Sequence, residues 1–159
     1  MKKLLTVILL IIVSLTLSGC LPKGYQSDTT IGREQAEEIL RCFNEDDIEG
    51  LKSMFCKEVS NTYNLDEEIA EAMNFFDGKA ISHDKVRVAG GDSIREGRVV
   101  DRHIDYSIFN IKTNSNKNYR IVTHSYLVYD KNSDCIGITY LKVIDSNTNQ
   151  MVQIGEYVY

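Results

Sequence analysis

From residue 33 onward, apolar side chains recur first every three or four positions and later every second position, and the change of period falls at Gly78. Ala36, Ile39, Leu40 and Phe43 form one helical stripe, which predicts a first helix over about 33–43. Asp46 opens a second helix, with Glu49 three residues on as in a capping box and Ile48, Leu51, Met54 and Phe55 as its buried face. Asn64 and Glu67 repeat that spacing ahead of Leu65, Ile69, Ala72, Met73 and Phe76, and Gly78 supplies a left-handed stop.

Beyond Gly78 the chain is rich in β-branched residues and tyrosine, broken by clusters of Gly, Asn, Asp and Ser. Five strands are predicted, at about 81–89, 98–113, 118–129, 135–145 and 150–158. The connections are short enough for antiparallel hairpins, with Gly90-Gly91-Asp92 read as the first turn. Helices first and strands afterwards predict an α+β domain: three N-terminal helices packed on a curved antiparallel sheet of about five strands.

The N-terminus follows a different pattern. Met1-Lys2-Lys3 precedes an apolar stretch from Leu4 to Leu17, too short for the roughly 20 residues of a membrane-crossing helix but right for a signal peptide. It ends in Leu17-Ser18-Gly19-Cys20, which resembles the lipobox of bacterial lipoproteins. That resemblance implies a leader at 1–19, cleavage between Gly19 and Cys20, and fatty acyl chains such as palmitate carried on Cys20. Two chains hold a bilayer stably where one binds only reversibly. Residues 20–32 include Pro22, Gly24, Ser27 and Asp28 without apolar period and read as a tether, leaving 33–159 as the folded domain. The expected location is the extracytoplasmic face of the cell membrane, with the lipid anchor as the membrane contact.

Charge narrows the partners. The chain carries a formal −5, and a leader containing Lys2 and Lys3 leaves the remainder more acidic still. Nucleic acid and anionic lipid are disfavoured on that balance, so membrane attachment falls to the lipid.

Ile48, Leu51 and Phe55, the run Leu65-Asp66-Glu67-Glu68-Ile69 leading into Phe75-Phe76-Asp77-Gly78-Lys79, and Ile136-Gly137-Ile138 together resemble a family of lipoproteins from Gram-positive gut bacteria, domain of unknown function 5104. The resemblance covers about 33–145. It implies the cone-shaped fold of nuclear transport factor 2 and cystatin-like proteins, in which a bent sheet wraps a helix and leaves a pocket. It carries over no catalytic residue.

The sharpest candidate chemistry is Asp101, His103 and Asp105, which alternate along one strand and so share a face. Such a trio can serve as general acid and base. Ile104, Tyr106 and Ile108 occupy the other parity and read as core, which turns the trio toward water; apolar Phe109 and Ile111 leave room for a bulge near Ser107 that would reverse the sides. His83, His103 and His124 are isolated, with no paired cysteines or closely spaced histidines, so no metal and no other cofactor is expected. The acidic runs at 45–47 and 66–68 sit at helix starts, where they complement the helix dipole. Cys42, Cys56 and Cys135 read as core residues, a Cys42–Cys56 disulfide being excluded while the second helix is unbroken. Tyr106, Tyr119, Tyr126, Tyr129 and Tyr140 are candidates to line a pocket, although strand propensity alone would place them there.

Three function classes remain open: a non-catalytic module binding a small ligand or an envelope protein; a small cone-fold enzyme (hydrolase, dehydratase or isomerase) using Asp101, His103 or Asp105 with a tyrosine; and a component of an envelope complex. Strand parity discriminates the first two.

Overall fold

The computed structural model describes residues 26–158; the leader, Gly19, Cys20 and the first part of the tether lie outside them. The helical half contains α1 (Asp28–Glu45), α2 (Ile48–Ser53), α3 (Lys57–Thr62) and α4 (Leu65–Phe75). The strand half contains β1 (Ala80–Ser82), β2 (Arg87–Arg95), β3 (Arg98–Thr113), β4 (Asn118–Tyr129), β5 (Gly137–Asp145) and β6 (Met151–Gly155). This is an α+β arrangement with a six-stranded antiparallel sheet in the order β1-β3-β4-β5-β6, while β2 pairs with the other end of the β3 edge that β1 occupies.

The helix start differs from the periodic signal. Ser27 caps α1 by accepting the Thr30 amide at 3.2 Å, so residues 28–32, expected in the tether, form the opening turns of the helix. Ile31 and buried Gly32 pack against the sheet there. Arg102, reaching across from β3, binds Asp28 through its Nε at 3.0 Å and fixes this end of the helix.

The second predicted helix is two. Asp46 ends α1 in the left-handed region at φ 55°, and Asp47 is the residue that caps α2, accepting the Gly50 amide at 2.8 Å. After Ser53 the chain leaves the helix to pair with the start of β5: Cys56 donates its amide to the Ile138 carbonyl at 2.8 Å, and Ile138 donates to Met54 at 3.0 Å. Tertiary pairing therefore overrides a sequence that keeps helical period. At α4 the Asn64 side chain bonds Glu67 Oε2 at 2.9 Å and makes no backbone cap, and the helix stops at Phe76, before the left-handed Gly78.

The first predicted strand also divides, and Gly90-Gly91 is not a turn. Both glycines lie mid-strand in β2, and the hairpin turns at Glu96-Gly97, both at positive φ. A glycine pair signals a turn only when nothing else needs the space. Here a Cβ on Gly90 would stand 2.7 Å from the His103 carbonyl and 3.3 Å from the Asp28 carboxylate, and one on Gly91 would meet the His103 ring at 3.2 Å.

The core lies between the helices and one face of the sheet. Ala36, Ile39 and Leu40 of α1, Leu51 of α2 and Ile69 of α4 pack on Ile104, Ile108, Ile111, Ile121, Leu141 and Val143. Tyr119 closes one end, accepting the Asp77 amide at 3.0 Å and donating to the Phe75 carbonyl at 2.9 Å. Burial pushes the Tyr106 phenol far above its ordinary range, as a filled interior requires.

Candidate functional site

The side chains that carry chemistry gather on the sheet face turned away from the helices. On β3 the even positions 102, 104, 106 and 108 face the helix layer, and Asp101, His103 and Asp105 face the opposite way. A bulge does occur on β3, at Phe109-Asn110 with Asn110 at φ 51°. It returns Ile111 to the core and leaves the trio outside.

That bulge also decides which residue of β3 meets β4 at His124. Below it Lys112 pairs with Asn118 and Ile111 with Tyr119; above it Ile108 pairs with Ile121, one residue out of step. The shift brings His124 opposite Asp105. A slip of one residue exchanges faces, so without it Tyr106 rather than Asp105 would stand opposite His124, whose own outward place follows from the alternation of β4 with buried Tyr119 and Ile121. Sequence reading missed His124 because its partner is 19 residues away and only this register joins them.

The resulting geometry is an acid–imidazole pair. His124 Nδ1 lies 2.9 Å from Asp105 Oδ1; the imidazole side chain is 2% exposed and the carboxylate 50%. His124 Nε2 is buried with no hydrogen-bond partner among the described residues. His103 Nδ1 lies 3.3 Å from Asp101 Oδ1, and the two imidazole rings are 5.5 Å apart. Tyr157, beyond β6, sits with its ring 4.6 Å from that of His124, while Tyr126 meets the imidazole edge-on at 4.9 Å and Tyr140 lies parallel at 6.0 Å. Tyr126 and Tyr129 stack at 4.5 Å, sharing a face because Leu127 is extra at a second bulge. Burial raises the pKa of Tyr126 and Tyr140, so both phenols stay protonated and available as donors.

A hollow of about 360 Å³ adjoins this cluster, lined by Arg95, Arg98, Asp101, Tyr129, Asp130 and Lys131. Of the five candidate tyrosines, Tyr106 and Tyr119 belong to the core, and Tyr126, Tyr129 and Tyr140 to this face. His83 stands apart, its Nε2 3.4 Å from Glu37 of α1. Among the described residues, no three His, Cys, Asp or Glu side chains converge as a metal site.

Cys42, Cys56 and Cys135 are buried free thiols. Cys56 stands at the start of α3, not at the far end of a long helix. Burial raises the pKa of all three, that of Cys42 to about 11, so at neutral pH they are weak nucleophiles.

Among the described residues no helix is long and apolar enough to cross a membrane. No curated protein matches the chain. The family model described as Domain of unknown function (DUF5104) matches residues 38–146, a span from the middle of α1 to the end of β5 that takes in most of the helical layer and the Asp105–His124 pair, and the chain belongs to that family.

Proposed function

We propose that the chain is a membrane-anchored extracytoplasmic lipoprotein whose folded part is a non-catalytic module binding a small ligand or an envelope protein on the outer face of its sheet. The anchoring half of this reading is supported by the leader pattern and Leu17-Ser18-Gly19-Cys20, followed within seven residues by the cap of α1. A helix layer against an antiparallel sheet is also what the cone-type fold of nuclear transport factor 2 and cystatin-like proteins would present. In this chain the space between the layers is occupied by side chains such as Tyr106, Ile108 and Leu141.

One observation supports the binding half above the others: His124 Nε2, a buried acceptor or donor without a partner among the described residues, stands among aromatic rings on the face that the core does not use. Leaving such a group unpaired costs about 1–3 kcal/mol, and a ligand hydroxyl or amide would recover it. Tyrosine rings around a single polar centre are a common lining for a ligand.

The alternative is a small cone-fold enzyme, and the Asp105–His124 geometry is what favours it. A carboxylate on Nδ1 fixes the tautomer that leaves Nε2 as a base. Turnover of p-nitrophenyl acetate by the wild type that vanishes in His124→Ala would support it. The anchor is tested separately. Radiolabelled palmitate is expected to enter the wild-type chain and not Cys20→Ala; label in both, or in neither, would refute lipidation at that sulfur.

A further inference from the structure

The outer face has a second half, below the His124 cluster, with a different charge. Arg87 of β2 emerges across β3 from Arg120 of β4, Lys142 lies on the adjoining β5, and none of the three pairs with a carboxylate among the described residues. Arg87 and Arg120 lean on the same ring, with guanidinium carbons 4.8 and 5.9 Å from the Phe109 centroid. Arg120 is half-buried, and its Nε is out of reach of water with no hydrogen-bond partner among the described residues. Asp84, at the rim, is already engaged by the Asn110 amide at 2.7 Å.

Beside Arg120 is a cleft of about 160 Å³, walled by Phe109 and Ile144 and edged by Asn110, Ser146 and Asn149. A partly desolvated cation without a counter-ion raises the energy of the free protein, and an incoming anion relieves that cost. The stacked guanidinium pair offers forked donors suited to carboxylates. Beside the cations lie apolar side chains, half-buried Val122 and Ile144 and, at the β6 edge, exposed Met151. This arrangement stands in a chain whose overall charge is −5.

We propose that this half of the face docks an acidic segment of a partner protein, one carboxylate side chain entering the cleft at Arg120 and the next lying over Arg87. An acidic protein is favoured over an anionic bilayer for two reasons. The cleft takes a single side chain between apolar walls. The anchored end, at Asp28 and Arg102, lies at the far end of β3 and on the helix side of the sheet; this second reason rests on the anchoring proposed above.

The test is anisotropy of fluorescein-labelled poly-L-glutamate titrated with the full chain, and with its Cys20→Ala variant so that a failure of lipidation does not alter the readout. Binding is expected at low salt and should weaken as salt rises. Arg87→Glu with Arg120→Glu should lower affinity at least tenfold, whereas the same charge change at exposed Arg33 and Lys79 should alter it less than twofold. Should the double variant lose its fold, Arg87→Gln at an exposed position is expected to cost several-fold by itself. Absence of binding, equal losses in the control pair, or preference for phosphatidylglycerol vesicles at matched charge would each overturn the proposal.

Discussion

The two faces of one sheet differ as sharply as two proteins. The helix side is a run of Ile104, Ile108, Ile111, Ile121, Leu141 and Val143, all fully buried, with Thr123 and the Tyr106 hydroxyl as buried polar groups among them. The outer side carries imidazoles, carboxylates and tyrosines in one half and, in the other, guanidiniums that no carboxylate meets among the described residues. Burial that stabilises a fold leaves no freedom for recognition, so the binding proposed for this domain falls on the face the core does not need. A cone with an open interior would have combined both tasks on one face.

The largest expected effect breaks the helix side. Ile104→Ala removes a fully buried side chain and should lower unfolding free energy by about 2–5 kcal/mol in urea denaturation. Its chain neighbour Asp105→Ala, on the outer side and half exposed, should cost under about 1.5 kcal/mol. Equal losses would erase the distinction between the faces.

Next comes the bulge that sets the outer face. Asn110 holds φ 51°, a conformation that costs a β-branched residue about 1–2 kcal/mol, so Asn110→Val should destabilise by that amount. It should also perturb the NMR signal of the His124 ring, whose place opposite Asp105 depends on the register. An unmoved His124 signal would show that the register survives without the bulge.

The smallest effect is a pH dependence. The amides of Thr148 and Asn147 hold the Asp145 carboxyl below the usual carboxylate range. A group whose folded pKa is depressed stabilises the fold above its unfolded pKa, and that contribution is lost as pH falls through the folded value. Asp145→Asn should therefore lower Tm slightly near neutrality, where the charged carboxylate contributes, and flatten the fall in Tm on acidification below the ordinary carboxylate range, so that variant and wild type converge at low pH. An unchanged acid limb would contradict this.

The helix-then-strand order, the antiparallel pairing and the outward parity of Asp101, His103 and Asp105 were legible in the sequence because each rests on local period. Three features were not. The break after Ser53 comes from Phe55 and Cys56 pairing with β5, which helical spacing conceals. Gly90-Gly91 reads as a turn, yet serves the close approach of the His103 carbonyl and ring on the neighbouring strand. His124 reads as a lone histidine; a search of hairpin registers allowing a one-residue bulge at an Asn would have placed it beside Asp105.

Binding on the outer face is tested most directly by a structure of the domain isolated from its native envelope, inspected on both sides of the sheet. Additional density is expected against His124 and Tyr140 on the outer face, with the interior closely filled by side chains. Density between α1 and Ile104, with the outer face bare, would contradict it.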